Sequence, residues 1–271
     1  MKFIFKLVII LFISSSAFSQ VASTAKLINI ACKQRMITQR LCKDKIYHTM
    51  NSKVEDCAKD ITSFITIFES NSSTLRNNIK DDFIIGKINK VDKLFETYKL
   101  NLENVKDNKS AMNVYYSNNE ILKGCDEIYN LLVDLEKKEP KTGLERFDAE
   151  QLNEVIRGSR KMRFLSQRIA IYYACFYNGM DTENAEIELK KSSETFDLIL
   201  NTIVANEFNT LDSEKMIADV MTDWNKLKNY TTNGVKGIVG KPITLSEMYD
   251  LMDKLYVKVD KLSAYTVVLT Q

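Results

Sequence analysis

Gln34-Arg35-Met36-Ile37-Thr38-Gln39-Arg40-Leu41 and Met162-Arg163-Phe164-Leu165-Ser166-Gln167-Arg168-Ile169 are two copies of one pattern. At a constant offset of 128 residues Arg35 meets Arg163, Thr38 meets Ser166, Gln39 meets Gln167 and Arg40 meets Arg168. Phe196 stands at the same offset from Phe68, so the repeat runs beyond the motif. An internal repeat of this length points to one helical unit used twice.

Working outward from the first copy, Leu27, Ile30, Ala31, Gln34, Thr38, Leu41 and Cys42 recur at three- and four-residue spacing, which predicts a helix over about 25–50. Similar stripes predict helices over about 53–70, 81–105 and 111–138, with Asn71-Ser72-Ser73 as a polar loop. Glu139-Pro140-Lys141-Thr142-Gly143 then stops the fourth helix and marks a boundary. The second half follows the same plan, with helices predicted over about 148–177, 182–205, 212–232 and 245–268. Only 8 Gly and 2 Pro occur in 271 residues, a scarcity of chain breakers that suits long helices. The expected fold is all-α: two tandem four-helix up-down-up-down bundles, residues 20–138 and 148–271, with Phe68, Phe95, Phe196 and Trp224 inside.

The first residues read differently. Lys2 and Lys6 precede an apolar run from Leu7 to Ile13, and Ala17-Phe18-Ser19 is a small-x-small cleavage pattern. Residues 1–19 therefore read as a secretory signal peptide, and the mature protein is expected to be periplasmic or secreted. The run is short of the roughly 20 apolar residues that span a bilayer, and no later stretch is apolar enough, so no membrane span is expected in the mature chain. With 38 basic and 36 acidic residues the charge lacks the basic excess of a nucleic-acid surface, and no nucleic acid is expected as a partner.

The five cysteines are Cys32, Cys42, Cys57, Cys125 and Cys175, and an odd count leaves at least one thiol unpaired. Cys32 and Cys42 lie on one predicted helix, roughly 15 Å apart at 1.5 Å per residue, too far to pair. Cys42 with Cys57 or Cys125 is conceivable across neighbouring helices, while the leading reading is that all five are small buried apolar residues.

On a helical wheel Leu27, Gln34, Thr38 and Leu41 form the core stripe, Arg35 and Gln39 flank it, and Met36 and Arg40 lie nearly opposite. Met162, Ser166 and Ile169, then Arg163 and Gln167, then Phe164 and Arg168, take the matching places in the second copy. A large apolar residue at the outer position in both copies points to a second packing surface on this helix. Arg35 with Gln39 one turn on makes a fork of donors, and guanidinium suits planar oxyanions because it can bind two oxygens at once. Arg35, Thr38, Gln39, Arg163, Ser166 and Gln167 are the candidate ligand-binding residues, and Met36, Arg40, Phe164 and Arg168 the candidate interface. The alternative is that the arginines pair with acids of neighbouring helices.

No nucleophile–base pair, Gly-rich phosphate loop or paired Glu-x-x-His pattern is visible, and His48 is the sole histidine. No catalytic residue, metal ligand or cofactor is expected.

Ile28-Asn29-Ile30-Ala31-Cys32-Lys33-Gln34-Arg35-Met36-Ile37-Thr38-Gln39-Arg40-Leu41 closely resembles the opening helix of the PilJ-type domain, the N-terminal sensor domain of type IV pili methyl-accepting chemotaxis transducers. The same helix occurs in nitrate/nitrite sensor kinases, which are bacterial. The resemblance covers each half and implies a four-helix bundle of sensor type. It implies that the motif arginines, at Arg35 and Arg163 here, bind an anion where two such helices meet. The expected function is a non-enzymatic binding module for a small anion such as nitrate, nitrite or a carboxylate, with a periplasmic or membrane signalling protein as partner. The alternative is a structural or protein-interaction bundle without a small-molecule ligand. Because one chain carries both copies, the Arg35 helix is expected to pack against the Arg163 helix.

Overall fold

A computed structural model of the chain describes residues 22–138, 146–207, 209–231 and 243–268, and the expected signal peptide and interdomain linker lie outside them. Eight helices and no strand occur among the described residues. They are α1 (Thr24–Thr49), α2 (Val54–Asn78), α3 (Asp82–Glu103), α4 (Asn108–Lys138), α5 (Arg146–Tyr177), α6 (Thr182–Val204), α7 (Leu211–Thr231) and α8 (Leu245–Val268).

Polar side chains start several of these helices by taking up backbone N–H groups that have no partner in the first turn, whereas α2 and α6 begin without a side-chain cap. Asp81 accepts from the amides of Phe83 and Ile84 ahead of α3. Before α8, Thr244 Oγ1 accepts from Glu247 N while Glu247 Oε2 accepts from Thr244 N, a reciprocal capping box. Thr210 and Ser213 serve each other in the same way at the start of α7.

The expected loop at Asn71-Ser72-Ser73 is instead the interior of α2, which runs on to Asn78. Its polar side chains are absorbed locally. Ser72 is buried and its hydroxyl bonds Asp92 on α3, while Thr74 and Asn78 bond back to the carbonyls of Ser70 and Thr74. The extra turns also bury Leu75 completely. Apolar anchoring outweighs the weak helix preference of Asn and Ser.

In each half the first helix packs on the second and the fourth, and the third on the second and fourth: α1 on α2 and α4, α5 on α6 and α8. Matching ring pairs fill the two interiors. Phe68 and Phe95 stack with centroids 3.9 Å apart, and Phe196 and Trp224 sit 4.4 Å apart, all four at most 2% exposed. The halves then meet where α1 packs on α5. Buried apolar residues of all eight helices join into one continuous cluster across that seam, so the two halves share a core rather than enclosing one each.

The repeat reaches the backbone. α1 and α5 both end in a Schellman turn in which Ser52 N bonds Tyr47 O and Met180 N bonds Cys175 O, the same bond 128 residues on. Asn51 and Gly179 take positive φ at 53° and 69°, and Lys53 and Asp181 at 55° and 44°, again in matching places. The two helices run parallel along the seam, since contacts advance together on both. Cys32 meets Arg163, Arg35 meets Phe164, Tyr47 meets Ala170, and Met50 meets Asn178. Met50 and Asn178 occupy matching positions, with Asn178 Nδ2 2.8 Å from Met50 Sδ. A contact between equivalents lies on the axis that relates the halves, so that axis runs along the seam.

A shared core should melt as one. Trp224 is the sole tryptophan and reports on the second half alone. Phe95→Ala, in the first half, should cost about 3–5 kcal/mol and lower the urea midpoint read from Trp224 fluorescence and from helical circular dichroism together. A Trp224 midpoint that stays at its wild-type value would show two independently folding halves.

Candidate functional site

α1 has no free face along its middle. From Gln34 to Asp44 every residue except Arg35 is buried, and Arg35 is nearly so. The α5 copy is as enclosed, with Met162 to Gln167 all buried. Polar side chains on such helices must find partners inside the protein.

Arg35 forms an ion pair with Asp126 of α4, and its guanidinium lies 4.8 Å from the centroid of the Tyr129 ring and 5.6 Å from that of Phe164 across the seam. Burial raises the Asp126 carboxyl above its ordinary range although Arg35 pulls it down. Arg163 is 3% exposed, donates to Asp260 of α8 at 2.7 Å, and places its other terminal nitrogen 3.5 Å from Cys32 Sγ on α1. Thus each of the two motif arginines reaches toward the opposite motif helix while a carboxylate of its own half neutralises it.

The remaining candidates are also engaged inside the protein, some between helices and some within their own helix. Gln39 donates to Asn118 Oδ1 at 2.5 Å, and Asn118 in turn donates to the carbonyl of Thr38 at 2.6 Å, which ties α4 to α1. Thr38 and Ser166 turn their hydroxyls back onto the carbonyls of Arg35 and Arg163. Gln167 donates to Ser166 Oγ at 3.4 Å. Arg168 donates to the Tyr172 hydroxyl at 2.6 Å, pairs with Glu188 of α6, and lies 5.6 Å from the Phe164 centroid. Met36 and Phe164 are both buried in the shared core.

Arg40 leads to a constellation the sequence reading did not single out. One nitrogen of Arg40 donates to Asp60 of α2 at 2.5 Å and to Asp253 of α8 at 2.8 Å, so a single guanidinium bridges the two halves. Lys43, with no exposure at all, donates to Asp253 at 2.5 Å and lies 3.3 Å from Asp44, its Nζ 3.8 Å from the centroid of Tyr249. Tyr249 donates to Asp44 Oδ1 at 3.0 Å. Burial by itself would weaken the Arg40 charge, but Asp253, Asp44 and Asp60 outweigh it and raise its pKa. The signal available beforehand was Lys43-Asp44 at the third and fourth places after Arg40, spacings that set them on the same side of the helix as that arginine.

Two cations face three carboxylates in this cluster, and Asp44 is the odd one. It is completely buried, and its Oδ2 has no hydrogen-bond partner, being 3.7 Å from Arg40 Nε. Burial, only partly offset by Lys43 and Arg40, pushes the Asp44 carboxyl up to about 6.

A shallow surface groove along α8 is lined by Asp253 of this cluster, and two others lie away from it. One runs between α3 and α4, edged by Lys87, Lys90, Lys123, Glu120 and Glu127. Gly124 lets these helices approach there, since a Cβ would sit 2.5 Å from Val91 Cγ2. His48 lies beside Lys45 in another, and burial and that lysine lower its pKa. Among the described residues no three His, Cys, Asp or Glu side chains are placed to hold a metal ion, and no helix is long and apolar enough to cross a membrane. Comparisons with protein-family models, with curated proteins and with solved structures gave no match to this chain.

Asp44 gives the site a pH signature. Its folded pKa, about 6, stands above the unfolded value near 3.8, so the folded chain takes up a proton that the unfolded chain releases. The stability tied to this group is complete below about pH 4 and is lost as pH rises through about 6. Asp44→Asn, permanently neutral, should match the wild type near pH 4 and exceed it at pH 8 by on the order of 2 kcal/mol. Urea unfolding at the two pH values checks this, and a variant less stable at pH 8 would show that the charged form is the one the cluster needs.

Proposed function

We propose that this chain is a non-enzymatic, exported helical interaction module, built from two PilJ-type halves that use their motif helices to dock on each other. In the sensors it resembles, two chains bring two motif helices together; one chain supplies both here. The observation that carries this reading is the internal pairing of the motif arginines: Arg35 with Asp126, Arg163 with Asp260, and Arg40 with Asp60 and Asp253. Guanidinium groups already neutralised by carboxylates, one of them 3% exposed, serve packing before they serve a solute. A periplasmic or membrane signalling protein is the partner class that such a module would serve.

Recognition of a small anion is the second reading, supported by a different observation. The Arg35 and Arg168 guanidinium groups lie 5.6 Å from the centroid of the same Phe164 ring, one from each half, and both keep some exposure. An anion there would have to compete with Asp126 and Glu188.

Thermal unfolding of the purified chain against nitrate, nitrite and small carboxylates separates the two, because a ligand that binds only the folded state raises the melting temperature. The docking reading expects the same melting temperature in each salt at matched ionic strength, with Arg35→Ala lowering it equally in all of them. A rise confined to one anion and abolished in Arg35→Ala would overturn docking in favour of anion recognition.

A further inference from the structure

The last turns of α1, the first half of α2 and the end of α3 border a cavity of about 210 Å³. Its floor is apolar: Ile61 and Ile65 of α2, partly buried against the core, and Leu102 of α3, 2% exposed. Lys45 and His48 also line it, three residues apart and so on one side of α1. Lys99 of α3 lines it too, but Glu69 and Glu96 already hold that ammonium. Lys45 and His48 are not held: among the described residues neither side chain has a hydrogen bond or an ion pair. Both are half-buried. Burial lowers the proton affinity of each, and the Lys45 charge lowers that of His48 further.

Packing does not require cations at these places. At the 128-residue offset the second half has Tyr173 and Phe176, one ring buried and one partly buried, both part of the core. The first half gives up that apolar filling and keeps a cavity with two positive charges that lack a counter-charge.

We propose that this cavity binds a small monocarboxylate with an apolar body of a few carbons. The carboxylate pairs with Lys45 and His48, and the chain lies on Ile61, Ile65 and Leu102. A volume of about 210 Å³ is below the roughly 300–1,000 Å³ of pockets for drug-sized ligands, which keeps the chain short. An inorganic anion gains the two cations and nothing from the floor. A neutral chain gains the floor and leaves the cations unpaired. Charge and apolar body together select the occupant. None of the motif arginines lines the cavity, so the site stands whether the motif helices dock or bind an anion.

Binding takes up a proton. A carboxylate beside His48 favours the imidazolium, so affinity falls as pH rises through the histidine range. The charged groups that line the cavity with His48 are Lys45 on its own helix and Lys99 and Glu103 on α3, while α2 presents Ala58, Ile61 and Ile65.

His48 is the sole histidine, so its imidazole proton signals in the NMR spectrum of the untagged chain need no assignment. Titration with hexanoate at about pH 6 and constant ionic strength should shift them saturably and raise the His48 titration midpoint. Affinity should be several-fold lower at about pH 8. Acetate, nitrate and hexanamide should give no saturable shift at the same concentrations. Lys45→Met keeps the apolar stem and removes the charge. It should retain the helical spectrum and weaken hexanoate binding about three- to tenfold, as a half-exposed ion pair allows. A hexanoate shift that does not saturate, one that acetate or hexanamide reproduces in full, or unchanged affinity in Lys45→Met overturns the proposal. If Lys45→Met fails to fold, the comparison of the four probes on the wild-type chain still decides.

Discussion

A helix packed on every side keeps no surface on which to leave a charge in water. That constraint acts on α1, which contacts α2 and α4 in its own half and α5 across the seam. Desolvating a guanidinium or an ammonium costs several kcal/mol unless a partner replaces the water. Arg40 and Lys43 are therefore possible in the middle of α1 only because Asp60 and Asp253 are delivered to them by α2 and α8. The carboxylates come from both halves, so the halves cannot separate without stranding these charges. The apolar core supplies the bulk of the attraction at the seam, and the ionic cluster fixes which register of α1 against α8 is tolerable. A shift of one residue along α1 would carry Arg40 and Lys43 away from Asp253 of α8.

The neutralised motif arginines follow from the same constraint. A guanidinium over Phe164 or Tyr129 gains from the ring face as well as from its carboxylate, and arginine tolerates this setting better than lysine because it is weakly hydrated and planar. The motif conserves between the two halves those residues that a doubly packed helix needs: an arginine that can reach across, a hydroxyl that satisfies itself on the preceding turn, and a glutamine. Gln39 finds Asn118 and thereby ties in α4. Gln167 has no equivalent of that tie: it donates weakly to its neighbour Ser166, and its Oε1 is buried without a partner.

Much of the helix layout was legible in the sequence because helix formation here is local. Periodicity places the apolar stripes, and scarce Gly and Pro leave few breaks. The exception at Asn71–Ser73 shows the limit of local reasoning. Three polar residues in a row read as a loop, yet the hydroxyl of Ser72 has a carboxylate waiting on α3 and the helix continues. The candidate residues of the motif were legible as a set, because repetition marked them. Their partners were not. Asp126, Asp253 and Asp260 are three aspartates on amphipathic helices rich in acids, and only the packing of α4 and α8 selects them. Lys43 and Asp44 were hidden for a related reason: adjacent opposite charges on a helix ordinarily lie on a solvated face, and burial on both sides becomes visible only when the second half is in place.

Joining two equivalent halves in one chain also changes what the seam can hold. A seam between two identical chains must present the same side chain on each side of its axis, so every polar solution appears twice or not at all. Here the two sides have diverged. Met36 stands where the second copy has Phe164, Cys32 where it has Arg160, and Met50 touches its counterpart Asn178. The arginine at one end, Arg40, gathers Asp44, Asp60 and Asp253, whereas its counterpart Arg168 makes do with Tyr172 and Glu188. A buried cluster as demanding as that of Arg40, Lys43 and Asp44 would, if doubled, place a second set of desolvated charges in the same core. Covalent linkage removes the need to double it. The tether also keeps the halves at high effective concentration, so the seam need not bind tightly enough to hold separate chains together. One half can then carry the expensive polar junction while the other keeps the simpler packing, and the asymmetry gives the seam a single arrangement in place of two equivalent ones.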